Sequence, residues 1–338
     1  MKRPIPQRER GAALLAVLIL VAITGAIAAA SLEKLRLSRM VASNVVAIDQ
    51  ARHSAAGAEQ LGMLIVNDLV VQDRTKTTLA GNWNGGVRRI PMPGGGVVEA
   101  RLRDGGNCFN VNSVVQGEPD NLTRRGSGVD QFVALMTLRA VPESDARRVA
   151  EAAADWADTD TLAGPGGAED SAYAAGPQPF RTANTLFADV SELRVLPGMR
   201  PDYFERIRPW MCALPVAELS PINVNTLLPS QALLLSTLAQ GRLSEEAARR
   251  VLAMRPAAGW ANSVEFWRTD TLRGLPIPLD AQQQPQVRTD WFVIDVRSVM
   301  DASEFFETVL VDARFQPVRL AQRRWAREGD EMIARGGN

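Results

Sequence analysis

The sequence predicts an α+β chain, in which one very long N-terminal helix lies on an antiparallel sheet and a large all-α domain is inserted into that sheet. Three observations carry the expectation. The stretch from Gly11 to Leu32 holds no charged residue and runs on without proline at helical spacing; glycine-punctuated strand patterns follow; and strand patterns return near the C-terminus after a long Ala-, Leu- and Arg-rich region. At 338 residues and 46% hydrophobic content the chain can fill more than one core.

Composition narrows the function classes. Lys plus Arg and Asp plus Glu both total 38, so no global charge excess draws the chain to nucleic acid or anionic lipid. One histidine, His53, and two cysteines, Cys108 and Cys212, are too few for a zinc cage or a Cys–His catalytic pair with spare candidates. No nucleophile with its base, phosphate-binding glycine loop or metal-hydrolase helix motif is found, so the chain is read as not an enzyme.

The uncharged run, at ~1.5 Å per residue, gives roughly 33 Å of helix and spans a bilayer core. Lys2, Arg3, Arg8 and Arg10 make a basic leader, and Ala28, Ala29 and Ala30 offer a secretory cleavage site that would leave Ser31 first. A secretory apolar region runs only about 7–15 residues, however, which favours an anchor over a discarded signal. The leader charges favour a cytoplasmic N-terminus, against the weight of Lys34, Arg36 and Arg39 on the far side. Beyond residue 32 the helix is expected to continue to about residue 72, packing a stripe of Leu32, Leu35, Val45, Ile48, Ala55, Ala58, Leu61 and Ile65 on a soluble domain. His53, among small residues, reads as a surface or packing side chain.

A basic leader ending in glycine just before an apolar stretch, followed by one continuous helix, resembles the type IV pilin and pseudopilin family. The resemblance implies a prepilin peptidase that cuts between Gly11 and Ala12 and methylates the new amine, keeping the apolar segment as an inner-membrane helix. Most members carry glutamate at the fifth mature position, where this chain has Ala16.

After the helix, GNWNGGVRRIPMPGGGVVEARLRDGGNCFNVNSVV alternates glycine clusters with strand-like runs such as VVEARLR and CFNVNSV. From about Val129 to Arg273 the segments DQFVALMTLRA, ESDARRVAEAAADWAD, PSQALLLSTLA and SEEAARRVLAMR predict helices, with starts signalled at Ser144, Ser230 and Ser244. Trp156, Trp210, Trp260 and Trp267 punctuate this region at intervals suited to core packing. Strands return in VRTDWFVIDVRSVM, EFFETVLVDARF and PVRLAQRRWAR.

The blocks LRDGGNCFNVNSV, DWADTDTLAGPGGAEDSAY, FRTANTLFADVSELRVLPGM, RPWMCALP, PINVNTL and RPAAGWANSVEFW occur in the order seen in the type II secretion minor pseudopilins of the protein K family, over nearly the whole chain. That family also lacks the glutamate, so the resemblance accounts for Ala16. It implies a pseudopilin fold with a leader over 1–11, a transmembrane helix over 12–32 and its periplasmic part over 33–72. The sheet is then expected over 73–124 and 279–325, the inserted helical domain over 125–278 and a tail over 326–338. It implies partnership with minor pseudopilins I, J and H at the tip of a periplasmic filament, and no catalytic residues.

Three features are weighed on their residues. Asp158, Asp160, Glu169 and Asp170 flank a Gly- and Pro-rich stretch and offer the hard oxygens calcium takes, without EF-hand spacing. The residues alone favour a solvated acidic loop; the resemblance implies a structural calcium held by these four, with Asp155 turned to the helix core beside Trp156. Cys108 and Cys212, outside the cytoplasm, favour a disulfide over two buried thiols, and would tie the sheet to the far end of the helical region. SELRVLPGMRPDYFERIRPW and INVNTLLPSQALLLSTLAQGRLSEEAARRVLAMRPAAGW resemble helix-hairpin-helix repeats, which leaves a membrane-tethered DNA receptor as the rival reading. LPGM has one glycine where the binding form has two, and Glu245 and Glu246 balance Arg242, Arg249 and Arg250, so no nucleic acid is expected.

Overall fold

The computed structural model describes residues 7–93, 95–174, 179–300 and 303–326; the expectations for residues 1–6 of the leader and 327–338 of the tail lie outside the described residues. Helix α1 (Gln7–Gln72) is unbroken because no proline interrupts it after Pro6, and its four glycines cost too little to stop so long a helix. It ends where the Asp73 carboxylate takes the backbone N–H groups of Thr75 and Lys76 at 2.8 and 3.2 Å, giving the chain a turn in place of another helical bond.

The two halves of α1 live in different surroundings. From Gly11 to Val46 every residue is exposed, and this is one helix long and apolar enough to cross a membrane, with a mean hydropathy of 2.7 in its most apolar window. Burial begins at Ala47 and continues through Ala51, Ala55, Ala58, Glu59, Val66 and Val70. The expected stripe is corrected here: Ala55 and Ala58 do pack, but Leu32, Leu35, Val45, Ile48 and Leu61 face outward. The reason is distance. Alanines bring the helix axis close to the sheet, and at Gly62 an added Cβ would stand 2.7 Å from Ile294 Cδ1, so the large side chains are left to the other faces.

Strand β1 (Val87–Met92) and β2 (Gly96–Asp104) form a hairpin; β3 (Phe109–Asn110), β4 (Val115–Glu118), β5 (Asn121–Arg124) and β6 (Met211–Cys212) are short; β7 (Trp291–Met300), β8 (Ser303–Asp312) and β9 (Arg319–Ala326) close the chain. One five-stranded antiparallel sheet runs β1-β2-β7-β8-β9, so β2 and β7 are neighbours although residues 105–290 lie between them in sequence. The expected first part of the sheet therefore contributes less than anticipated. Only β1 and β2 join it; β3 pairs in parallel with the distant β6, and β4 and β5 make a separate hairpin. Period-two alternation sorts the faces. Val98, Phe292, Ile294, Val296, Val309 and Val311 pack under α1, while Trp291, Val293 and Leu310 meet Leu214 on the opposite face. The rest of that opposite face carries a ladder of ion pairs, Arg89–Glu99–Arg297–Glu304, with steps of 2.8, 3.1 and 2.7 Å.

Between β2 and β7 the chain is mostly helical: α2 (Gly126–Leu138), α3 (Glu143–Ala157), α4 (Asp170–Ala174), α5 (Pro201–Ile207), α6 (Leu233–Leu238), α7 (Glu245–Ala253), α8 (Ser263–Trp267) and α9 (Leu279–Gln282). They share a second core in which Phe109 stacks on Phe132 at 5.2 Å and Trp260 meets Phe266 edge-on. Trp156 and Trp260 are buried in it, and Trp210 and Trp267 pack against its rim. Of the three expected helix starts, Ser244 caps α7 and accepts from Ala247 N at 3.2 Å. Ser144 instead lies inside α3 after Pro142, and Ser230 lies in a 3-10 turn ahead of α6. Pro142 and Pro229 fix φ just ahead of these serines, so that α3 begins before Ser144 and the 3-10 turn begins before Ser230, leaving α6 to start later at Leu233.

The segment is fastened to the sheet where the chain leaves and re-enters it. Asp104, fully buried at the end of β2, accepts from Gly106 N and Asn107 N on one oxygen and from the Thr226 and Thr289 hydroxyls, at 2.6 and 2.5 Å, on the other. Asn223 extends the network, donating to Thr77 O and to Thr289 Oγ1 at 3.1 and 2.8 Å. At the far edge Gln322 of β9 donates to Ala188 O, and Arg324 pairs with Asp189.

Candidate functional site: an acidic loop at the end of α3

Helix α3 delivers the site. Its apolar face, Ala146, Val149, Ala150, Ala153 and Ala157, is buried, and its last turn therefore brings Asp155 and Asp158 to the core edge. Asp158 is the residue at which the helix stops, in an extended conformation with its N–H still bonded to Ala154 O at 2.9 Å. One oxygen from each of Asp158, Asp160 and Glu169 lies within 4.8 Å of the others. Asp158 and Glu169 are buried and Asp160 is exposed, so the group opens to solvent on one side.

Asp155 organises the loop from beneath. Only 1% exposed, it receives Gly164 N on both oxygens at 3.1 Å. A Cβ at Gly167 would stand 2.0 Å from its Oδ2, so the loop can close over this carboxylate only with glycine there. On sequence Asp155 is a lesser candidate than the four because it faces the helix core; it is buried there, and the GPGG stretch is the signal for its part in closing the loop.

The structure brings together three of the four expected ligands and places the fourth elsewhere. Asp170, next to Glu169 but at the start of α4, turns to Thr182, taking its N–H at 3.0 Å and its hydroxyl at 2.9 Å. The Thr182 backbone bond holds the Asp170 carboxyl below the usual range. The two buried members of the convergent group behave in the opposite way. Burial, with Asp160, Asp155 and Glu169 close by, pushes Asp158 up to about 7. Burial and then Asp155 raise Glu169 as well. Asp158 Oδ1 and Glu169 Oε1 are buried with no hydrogen-bond partner among the described residues.

Such an arrangement is costly as it stands. Buried carboxylate oxygens without donors, in mutual repulsion and at the negative end of a helix dipole, are relieved by a proton or by a cation. The spacing and the all-oxygen donor set fit a hard divalent ion such as calcium, whose oxygen ligands stand at about 2.3–2.6 Å. Arg124 is held by Glu151 through bonds of 2.6 and 2.8 Å and Arg181 lies against Asp170 at 3.9 Å, and neither pairs with the three.

The other singled-out residues lie apart. Cys108 and Cys212 are bonded, with Cα atoms 5.8 Å apart, at the β3–β6 pairing. Gly11 and Ala12 sit on the bare part of α1 with nothing near a Gly11 side-chain position, and Ala16 lies on the same exposed surface. In the second hairpin-like segment α6 turns into α7 through Gln240 and Gly241, both at positive φ. Its cations are engaged: Arg249 pairs with Glu245, Arg250 with Glu246 at 2.9 Å, and Arg242 donates to Pro276 O. Nothing supports the DNA-receptor reading.

Comparison with known proteins bears on the whole chain. Residues 107–216 and 222–289 match two families, each described as type II secretion system (T2SS), protein K. The type II secretion system protein K of Pectobacterium carotovorum subsp. carotovorum is 33% identical over 94% of this chain and 97% of its own length. That of Klebsiella pneumoniae is 31% identical over the same shares. Among solved structures, a chain of the GspK–GspI–GspJ complex from enterotoxigenic Escherichia coli superposes with a TM-score of 0.72 at 27% identity, covering 83% of this chain and 97% of that one. With the long helix on an antiparallel sheet and the helical segment shared at that level, the chain belongs to the type II secretion system protein K family, the minor pseudopilins of type II secretion.

Proposed function

We propose that this protein is the tip subunit of a periplasmic pseudopilus, anchored in the inner membrane by α1 and assembled with minor pseudopilins I and J, with H joining them. The observation that carries the reading is the division of α1, bare from Gly11 to Val46, uncharged as far as Leu32, and packed on its own sheet only from Ala47 on. Apolar side chains left bare over so long a stretch need lipid and then neighbouring helices. The solved relative named for a complex with GspI and GspJ supports those two partners. The helical segment, an inserted domain with hairpin repeats retained for packing, would cap the assembly. An acid at position 16 would cost roughly 2.5–3.5 kcal/mol in the membrane without a partner. Ala16 avoids that cost in a subunit that has no other ahead of it.

Co-purification of the full chain in detergent with minor pseudopilins I and J tests the assignment, and absence of any complex overturns it. Processing is tested separately. Intact-mass measurement of the protein from membranes is expected to show a methylated N-terminus at Ala12, whereas Ser31 would identify ordinary secretory cleavage.

The acidic loop is read as a structural calcium site held by Asp158, Asp160 and Glu169, the ion supplying the positive charge that the loop lacks. A hundredfold excess of calcium over Kd is expected to stabilise the protein by about 2.7 kcal/mol, or roughly 4 °C in Tm. The double variant Asp158→Ala, Asp160→Ala is expected to melt alike in calcium and in chelator; a retained calcium shift would exclude the site. The sign of the pH response follows from Asp158. Its folded value, raised to about 7, means that in chelator its contribution is full below the ordinary carboxylate range and is lost as pH rises through about 7. Calcium should abolish that decline, because the ion binds the charged form.

A further inference from the structure

A second charge cluster lies between α1 and the sheet. Glu59 of α1 is 1% exposed and Glu307 of β8 is 4% exposed. Arg323 of β9 reaches both: its Nε is 2.7 Å from Glu59 Oε2 and 2.9 Å from Glu307 Oε1, and its Nη2 is 2.6 Å from Glu59 Oε1. Among the described residues it is the only cation in ion-pair contact with either carboxylate. One guanidinium thus meets two buried acids, and the cluster is neutral only when one of the two carboxyl groups carries a proton.

The surroundings do not alter this balance. From α1, Gln60 donates to Glu59 Oε1 at 3.3 Å, and the Arg52 guanidinium lies 5.6 Å from the ring centres of Phe305 and Trp325. From β9 the Trp325 indole reaches Glu307 at 3.4 Å, and from β7 the residue opposite Glu307 is Val296. The remaining charges on β7 and β8 near this level, Asp295, Arg297 and Glu304, lie on the other face, Asp295 with Arg103 at 2.8 Å and the other two in the ladder.

We propose that Glu59, Glu307 and Arg323 form an acid-tightened latch between α1 and the outer strands of the sheet. With a proton on Glu307, Glu59 and Arg323 are a matched pair buried with their hydrogen bonds made. Without it a surplus anion is buried against Glu59, and the hold of β8 and β9 on the helix weakens. Burial first, and then the Glu59 charge, raise the Glu307 carboxyl above its ordinary value. Its contribution is therefore full below the usual carboxylate range and falls away as pH rises through that raised value. The latch lies about 18 Å along α1 from Ala47, within the half of the helix that packs on the sheet, so it would govern how firmly the folded region follows the bare half of the helix.

Amide hydrogen exchange of the full chain in detergent micelles, read over residues 51–70 at about pH 5 and about pH 8 and corrected for intrinsic rates, tests this directly. Protection is expected to be at least roughly fivefold greater at the lower pH. Glu307→Gln should give the acid level of protection at both values. Protection of the wild type that does not change, or a Glu307→Gln protein that keeps the wild-type difference, would overturn the latch. Should Glu307→Gln fail to fold, Glu59→Gln serves instead: it leaves Glu307 alone with Arg323 and should erase the difference, whose survival would again overturn the proposal. Titration of the acidic loop is read in separate peptides and does not enter.

Discussion

Replacing Cys108 and Cys212 together with serine is expected to destabilise the folded protein by about 4.7 kcal/mol, the chain-entropy value for a closed loop of about 100 residues. The two are separated by 104 positions, and that loop contains the acidic site and α2 through α5. Without the bond, the parallel pairing of β3 with β6 rests on two residues in each strand, too few to hold the far end of the helical segment alone. A guanidinium chloride titration should show the serine variant unfolding roughly 1 M earlier than the oxidised wild type. Coincident midpoints would refute the expectation. So would a wild type that yields two titratable thiols after denaturation without reductant.

The size of that effect was readable only in part from the chain. Two cysteines outside the cytoplasm point to a pair, but which elements they clamp depends on β3 finding a partner about a hundred residues away, and two-residue strands leave no periodicity to read. The strands of the main sheet differ. VVEARLR and WFVIDVRSVM alternate so regularly that their two faces can be assigned residue by residue, and the structure places Val98 and Val296 on one face and Arg101 and Asp295 on the other.

For α1, length and continuity were legible while the buried face was not. A hydrophobic stripe assumes that the largest apolar residues pack inward; here the sheet accepts Ala47, Ala51 and Ala55, and Leu32, Leu35, Leu61 and Leu64 are left exposed. Much the same limit applies to the acidic loop. Asp158, Asp160 and Glu169 were identifiable by residue type, but α4 begins between Glu169 and Asp170, and the turn into the helix sends Asp170 to Thr182. Glu59, Glu307 and Arg323 gave no local signal, since three distant segments must meet before one cation is seen to serve two acids.

The buried joint at the end of β2 is the other place where one side chain should have a large effect. Asp104→Ala is expected to cost about 3–5 kcal/mol, because it leaves the Thr289 hydroxyl and the N–H groups of Gly106 and Asn107 without their acceptor in a place water does not reach. Thr226 suffers less, having Asn223 O as a second acceptor at 3.1 Å. Asp104→Asn should lose less than alanine, since its carbonyl can keep the two backbone donors while the threonine hydroxyls rotate to accept from its amide. Burial raises the Asp104 carboxyl above its ordinary value despite these four donors, so the network also favours acid: its contribution is full below the usual carboxylate range and is lost as pH rises through the raised value. Denaturant midpoints of wild type, Asp104→Asn and Asp104→Ala should therefore fall in that order. If alanine proved as stable as wild type, the joint between sheet and helical segment would have to be held by the Leu214–Trp291 contact and the β9 bonds to Ala188 and Asp189 alone, and the segment's position on the sheet would owe nothing to its buried polar network.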